Sequence, residues 1–195
     1  MRRETKFVLV SLAAWLCFAL AVGVSGSFRN ASAPGVAATV WGLTVVALVG
    51  CWKVPVLNAW WHHVDLRWLV LLHVTRFVGF YFLVLCRRDE LSCAFAQPAG
   101  IGDICVAATA LLLLAMRGHL HRVPFLIWNA AGSIDILFVA VSALRIGLSN
   151  WQSMAPLREL PLSLLPTFLV PLIIASHVLI FVRLFQRGRI ESTPP

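Results

Sequence analysis

The chain has 195 residues, of which 60% are hydrophobic and 12% are charged, and its mean hydropathy is +0.87. Soluble domains carry about 25% charged residues, so the composition excludes a soluble globular protein and predicts an all-α polytopic membrane protein. The formal net charge of +8 comes from basic residues at the ends of apolar runs, where they meet lipid headgroups, so we expect the lipid bilayer as a partner and no nucleic acid.

Six apolar segments predict a transmembrane helix bundle that forms one domain over residues 1–195, and five spans also fit the pattern. The predicted spans cover residues 7–24, 36–52, 67–86, 101–116, 124–144 and 164–185. The fourth is short for a hydrocarbon core of about 30 Å, so we expect it to be little tilted or partly re-entrant. The sixth contains Pro166 and Pro171, which leave backbone carbonyls unpaired and so favour a site on this helix.

The first segment has two interpretations. One is a cleaved signal peptide, in which Ala31-Ser32-Ala33 is the cleavage site. The other is a retained helix, which we favour because the apolar run is longer than the ~7–15 residues of a signal-peptide core.

Basic residues orient the predicted spans. If the N-terminus lies in the cytoplasm, ten basic residues lie inside, namely Arg2, Arg3, Lys6, Lys53, Arg67, Arg117, Arg122, Arg183, Arg187 and Arg189. Five then lie outside, namely Arg29, Arg87, Arg88, Arg145 and Arg158. This asymmetry predicts that both termini face the cytoplasm, although the Arg87-Arg88 pair runs against it.

Several polar side chains lie inside the predicted spans, although membrane insertion does not require them. A guanidinium in hydrocarbon costs ~2.5–3.5 kcal/mol, so an arginine there needs a polar partner or a water-filled cavity. We therefore interpret the intramembrane polar residues as candidate binding residues: His73, Arg76, Asp103, Asn129, Asp135 and His177.

Two of these residues, both histidines, should lie at one depth. His73 follows Arg67 by six residues and His177 precedes Arg183 by six, so at ~1.5 Å per residue both imidazoles lie roughly 9 Å from the cytoplasmic face, in the layer of Asn129. Level imidazoles on two helices could act as metal ligands to a single haem b, or could share a proton. The simpler interpretation is that each ring bonds a backbone carbonyl of a neighbouring helix.

A second pairing is expected near the membrane midplane. Arg76 and Asp135 should form an ion pair there, either as a purely structural feature or as part of a site. Asp103 is expected near the outer face, where we favour a role as the N-cap of the fourth helix over a binding role.

A short pattern occurs twice in the second half of the chain. Residues 99–104 (AGIGDI) and 131–136 (AGSIDI) share Ala-Gly-x-x-Asp-Ile at an offset of 32 residues. Chance together with helix-packing glycines is the favoured explanation, and an inverted transporter repeat is the other.

The remaining motifs carry little chemistry. Cys86 and Cys93 flank one short loop, and the sequence leaves open whether they form a disulfide. His62-His63 and His119-x-His121 are predicted in short loops. His-x-His can hold a transition metal, but beside Arg117 and Arg122 we favour a solvated or headgroup-bound pair. No G-x-S-x-G, H-E-x-x-H, P-loop or dinucleotide fingerprint occurs, so an enzyme is not favoured.

Three strings resemble a family of small, uncharacterised bacterial multi-pass proteins. They are residues 95–103 (FAQPAGIGD), 128–135 (WNAAGSID) and 165–171 (LPTFLVP), the last followed by His177. The resemblance covers roughly the second half of the chain. It implies a bacterial inner-membrane protein and supplies no activity, cofactor or site.

The sequence therefore predicts an integral membrane protein with a polar site between the third, fifth and sixth spans. Its favoured function is to bind or translocate a small solute or a proton, with Arg76 attracting an anionic group or holding Asp135 ionised. The alternative is an electron-transfer protein with haem b between His73 and His177. A third interpretation is a non-catalytic accessory subunit whose polar residues bind a membrane-complex partner or a second copy of the chain.

Overall fold

The apolar composition dictates helices, because backbone N–H and C=O groups in hydrocarbon must be bonded within the chain. The computed structural model describes residues 3–116 and 122–191, which contain no strand. Their α-helices are α1 Arg3–Val24, α2 Ala33–Lys53, α3 Pro55–His63, α4 Leu66–Leu72, α5 Gly79–Arg87, α6 Cys93–Ala115, α7 Arg122–Ser149 and α8 Val170–Glu191. Other helical segments are two 3₁₀ segments, His73–Val78 and Gln152–Arg158, and a π segment, Leu165–Leu169.

Six helical runs within the described residues are long and apolar enough to cross a membrane, which confirms the predicted all-α, six-span fold. They are Arg3–Val24, Ala33–Lys53, Leu66–Arg87, Cys93–Ala115, Val123–Ser149 and Leu165–Gln186. The third combines α4, a 3₁₀ segment and α5, and the sixth combines the π segment with α8. Helix α3, which has nine residues and a buried Trp61, lies between the second and third spans and was not predicted; it contains His62 and His63, which were expected in a loop.

The fourth span differs from its prediction. It begins at Cys93 rather than Ile101, so it is neither short nor re-entrant. Pro98 lies inside this helix, three residues before the predicted start. It removes only one backbone hydrogen bond, and Phe95, Ala96 and Ala99 bury their side chains around it, which keeps the first two turns helical. The longer helix places Asp103 in the interior of the span instead of at its end.

The third span changes its helical form at its centre. In the 3₁₀ segment, residues three apart eclipse each other, so His73 and Arg76 point from the same face. The span packs tightly on α6 because two glycines meet there: a Cβ atom on Gly79 would collide with the carbonyl oxygen of Gly100. This contact brings Arg76 within reach of α6.

The sixth span also departs from α-helical geometry. The amide of Val170 donates to the carbonyl of Leu165 in the π segment, and Pro171 has no N–H to continue the ladder. The carbonyl of Thr167, four residues before Pro171, instead accepts a hydrogen bond from the Trp15 indole at 2.9 Å. Helix α1 thereby satisfies a backbone group that the proline leaves unpaired.

Contacts between the loops identify which residues lie together at each end of the bundle. At one end, the Trp151 indole donates to the carbonyl of Ala31 at 2.8 Å, and the Ser92 amide donates to the carbonyl of Ser153 at 3.0 Å. The disulfide between Cys86 and Cys93 lies at this end, which we call the disulfide end.

At the opposite end, Arg67 donates to the carbonyl of Met116 at 3.2 Å, and Arg183 donates to the carbonyl of Val64. His62 and His63 close α3 and are exposed. Arg117, His119 and His121 lie outside the described residues.

Candidate functional site

Arg76 lies at the centre of the bundle and uses all three of its nitrogens. Nε donates to Oδ1 of Asp103 at 2.6 Å, Nη1 donates to the carbonyl of Gly132 at 3.2 Å, and Nη2 donates to Oδ2 of Asp135. The guanidinium is only 1% exposed. The third span therefore binds α6 and α7 through one buried cation.

The two carboxylates had different predictions. The predicted pairing of Arg76 with Asp135 is confirmed. The placement of Asp103 near the outer face as an N-cap is wrong, because α6 begins ten residues before it and carries its side chain to Arg76. The repeated Ala-Gly-x-x-Asp-Ile pattern thus places both of its aspartates on the same guanidinium, while its origin as a repeat stays a prediction.

Charge does not balance in this arrangement. One guanidinium contributes +1 and two ionised carboxylates contribute −2, so the fully ionised group carries −1. The side chains of Asp103 and Asp135 are 6% and 19% exposed, and hydrocarbon supplies no counterion. A fully ionised group would therefore leave one negative charge uncompensated inside the bundle.

The two intramembrane histidines are in contact. Their ring centroids lie 4.3 Å apart, which agrees with the predicted common depth. Nδ1 of His177 bonds Oδ1 of Asn129 at 2.8 Å, and Nδ2 of Asn129 donates to the carbonyl of His177 at 3.1 Å. Nε2 of His73 bonds the hydroxyl of Ser176 at 3.0 Å. All four of these side chains are buried.

The hydrogen-bond network assigns the tautomers of both rings. The Ser176 hydroxyl donates to the carbonyl of Ile173 at 2.8 Å, so its oxygen accepts from Nε2–H of His73. The Asn129 oxygen can only accept, so Nδ1 of His177 is its donor. Nδ1 of His73 and Nε2 of His177 then carry lone pairs, and neither has a hydrogen-bond partner among the described residues. Each neutral imidazole therefore holds a buried, unused proton acceptor.

Gly132 joins the histidine pair to the charged group. Its carbonyl accepts from Arg76, and a Cβ atom at this position would lie 2.8 Å from Cε1 and 3.2 Å from Nε2 of His177. Only a glycine lets the ring lie this close to α7. The imidazoles and the arginine–carboxylate group therefore form one contiguous unit, which we call the polar cluster: His73, Arg76, Asp103, Asn129, Gly132, Asp135, Ser176 and His177.

Sequence reasoning missed three contributors to the polar cluster and its surroundings. Ser176 orients His73, and the Gly132 carbonyl orients Arg76. Trp128 packs edge-on against His73 with centroids 4.9 Å apart, and its indole donates to the carbonyl of Val106 at 3.2 Å. Two of these residues adjoin predicted site residues, since Ser176 precedes His177 and Trp128 precedes Asn129. That adjacency was the available signal for Ser176 and Trp128, whereas Gly132 lies in the repeated Ala-Gly-x-x-Asp-Ile pattern.

The histidine pair does not fit the axial ligation of haem. Axial imidazoles lie on opposite faces of the macrocycle with the iron between them. Here the rings of His73 and His177 contact each other, and a third ring, that of Trp128, packs against both. Within the described ranges, no group of three or more His, Cys, Asp or Glu side chains is arranged to hold a metal ion.

Comparison with known proteins gives a family and no activity. Neither a curated protein nor a solved structure matches the chain. One family profile matches residues 33–185, a range that contains every residue of the polar cluster and leaves out α1. The chain therefore belongs to the family described as Domain of unknown function (DUF8737).

Proposed function

We propose that this membrane protein binds a proton at the polar cluster and exchanges it with one side of the membrane. The observation that carries the proposal is the charge of the buried group, in which one guanidinium serves two carboxylates. A net charge buried in a membrane protein is costly unless it is paired, and a proton is the smallest species that neutralises it. A transported solute, if there is one, would be coupled to that proton.

The geometry favours a proton or a cation over an anionic solute. Arg76 donates from each of its three nitrogens to an acceptor within the chain, which uses three of its five N–H donors. Since one guanidinium serves two carboxylates, the ionised group has a net negative charge, which repels an anion. Of the two roles predicted for Arg76, the contact with Asp135 and the net charge of the group support holding Asp135 ionised more than attracting an anionic group.

The imidazoles supply a second pair of proton acceptors beside the carboxylates. Nδ1 of His73 and Nε2 of His177 are unpartnered, and the Cε1–Nε2 edge of His177 lies against Gly132, whose carbonyl contacts Arg76. Imidazoles take up and release protons near neutral pH more readily than other side chains. We infer that the histidines pass a proton between the carboxylates and the end of the bundle opposite the disulfide.

Two independent features favour placing that end in the cytoplasm. The basic asymmetry of the loops and tails is one. The disulfide between Cys86 and Cys93 is the other, since such bonds persist in oxidising compartments, and it lies at the opposite end of the bundle. The accessory-subunit interpretation finds less support, because five of the six predicted site residues are buried within the chain and cannot bind a partner helix.

Infrared difference spectroscopy on the purified protein tests the proposal directly. A protonated carboxylic acid should be present near neutral pH and should ionise as the pH is raised. Its carbonyl band should disappear or shift in Asp103→Asn and in Asp135→Asn. The control is Asp89→Asn, at an exposed position whose backbone φ of 58° asparagine tolerates, and it should leave the band unchanged. Absence of any titrating carboxyl band in the wild-type protein would overturn the proposal.

A further inference from the structure

A cavity of about 130 Å³ is lined by residues from the disulfide end of the bundle and from the polar cluster. Its walls are residues 33–41 of α2, residues 136–144 of α7 and the π segment with the start of α8. Each wall helix runs beside it for eight residue steps, about 12 Å at ~1.5 Å per residue. Trp151 and Leu157 lie at one end, and Arg76 and Asp103 lie at the other.

The polar end of the cavity contains a carboxylate that belongs to a negatively charged group. All three nitrogens of Arg76 are already bonded within the chain. Thr75 also lines the cavity, but its hydroxyl donates to the carbonyl of Leu72 at 2.7 Å. Asp103 binds Arg76 through Oδ1, and its side chain keeps 6% exposure while lining the cavity. A ligand would therefore meet a carboxylate at the end of an otherwise apolar space.

We propose that this cavity binds a small lipophilic ammonium ion, with its apolar body along α2 and α7 and its cationic head at Asp103. The inference rests on the proposed function, because the uncompensated negative charge that attracts the ammonium ion is the charge that a proton neutralises. Cation and proton then compete: binding of one ammonium ion releases one proton, and total charge is conserved. The other charged or titratable groups near Asp103 are Arg76 of the third span, Asp135 of α7, and His73 and His177 beside Arg76.

The size of the cavity limits the ligand. An apolar cavity of about 150 Å³ holds one benzene molecule, so 130 Å³ accommodates an apolar body of about six carbon atoms. A straight six-carbon chain with a terminal ammonium group matches both this volume and the length of the walls. The ammonium group of n-hexylammonium stays protonated at neutral pH, as that of a lysine does.

A lipid acyl chain is the competing occupant. Trp41 and Val141 at the rim of the cavity are 43% and 63% exposed, so the space opens sideways between α2 and α7 toward the surrounding lipid. An acyl chain would contact only the apolar walls, so its binding affinity would not depend on the charge of Asp103. A preference of the cavity for a cationic over a neutral or anionic probe therefore distinguishes an ammonium ion from an acyl chain.

The test is calorimetric titration of the full chain in a zwitterionic detergent with three matched probes, n-hexylammonium, hexan-1-ol and hexanoate, corrected with empty micelles. We expect saturable binding of n-hexylammonium, binding of hexan-1-ol that is about tenfold weaker or more, and no binding of hexanoate. The affinity for n-hexylammonium should rise about tenfold per pH unit while the cluster is protonated, since one proton leaves for each cation bound.

Two variants locate the binding. Ala140→Leu fills the cavity and should abolish binding of n-hexylammonium, whereas the matched Ala108→Leu on the exposed face of α6 should not. Asp103→Asn should reduce the affinity for n-hexylammonium to that for hexan-1-ol. If Asp103→Asn does not fold, the probe series and Ala140→Leu decide the question.

Equal binding of the three probes, a preference for hexanoate, or binding that survives Ala140→Leu would overturn the inference. The infrared carboxyl band, measured on the same samples without probe, distinguishes failure of the cavity inference from failure of the proposed function. If the titrating band is present but n-hexylammonium binds no better than the other probes, only the cavity inference is overturned. A missing band overturns the proton site itself, whichever probe binds.

Discussion

Removing the cation of the polar cluster should cost more stability than removing either of its partners. Arg76→Met leaves the buried carboxylate of Asp103 and the partly buried one of Asp135 without a counterion, and breaking a buried pair in this way costs about 3–5 kcal/mol of unfolding free energy. Asp103→Asn leaves the neutral Arg76–Asp135 pair, and the amide oxygen still accepts from Nε. Its expected cost is therefore smaller, about 1–3 kcal/mol.

The double variant Arg76→Met with Asp103→Asn reveals the coupling. It leaves Asp135 as the sole carboxylate of the cluster, and this partly exposed group can take up a proton. The combined loss should then fall about 2 kcal/mol short of the sum of the single losses. Arg145→Met, at an exposed position on α7, is the control and should change stability by no more than about 0.5 kcal/mol.

Unfolding free energies can be compared by titrating the purified protein from mild-detergent micelles into SDS and following tryptophan fluorescence. The wild type, both single variants, the double variant and the control are measured together. Losses that simply add in the double variant would refute the reasoning, because they would show that Arg76 and Asp103 do not compensate each other. A loss for Arg76→Met as small as that of the control would mean that water reaches the cluster.

Three further predictions use other parts of the chain. Alkaline phosphatase fused after Phe185 should be inactive and green fluorescent protein at the same site fluorescent, because ten basic residues against five favour cytoplasmic termini; the reverse pattern would contradict the orientation. Gly132→Ala should destabilise the fold by about 1–3 kcal/mol, because its Cβ would lie 2.8 Å from Cε1 of His177, whereas Gly42→Ala, with no atom within 4 Å, should not. The protein purified from haem-supplied cells should show no Soret band, because the two rings contact each other; a band lost in both His73→Ala and His177→Ala would contradict this.

The sequence predicted those features of the site that depend only on the depth of a side chain along its own helix. His73 and His177 were placed at one depth by counting from Arg67 and Arg183, and their rings are in contact. The Arg76–Asp135 pair followed from the cost of a charge in hydrocarbon, which requires a partner at the same level. Both arguments need only the rise per residue and the approximate span limits.

Other features depended on packing that no single helix reveals. The start of α6 was placed at Ile101 instead of Cys93, and the first turns of this helix contain Pro98, whose tolerance depends on the buried Phe95 and Ala99 around it. The 3₁₀ form of the third span follows no pattern that was visible in the sequence. The contact between Gly79 and Gly100 was equally hidden, since it joins two helices. These two features decide which side chains Arg76 can reach.

The 3₁₀ segment at the centre of the third span has a mechanical consequence. Six residues rise about 2.0 Å each in 3₁₀ form and 1.5 Å each in α form, so conversion of His73–Val78 to α-helix would shorten the span by about 3 Å. At 3.0 against 3.6 residues per turn, the same conversion would rotate α5 against α4 by about a third of a turn. Distances between spin labels on the two ends of the span would detect such a screw motion.

That motion would act on both halves of the polar cluster at once. His73 and Arg76 lie in the same short segment, one bonded to Ser176 and the other to Asp103 and Asp135. Unwinding the segment would carry both side chains off their partners together. A rotation or displacement of either end of the third span would therefore change the contacts of the His73 imidazole and of the Arg76 guanidinium at the same time.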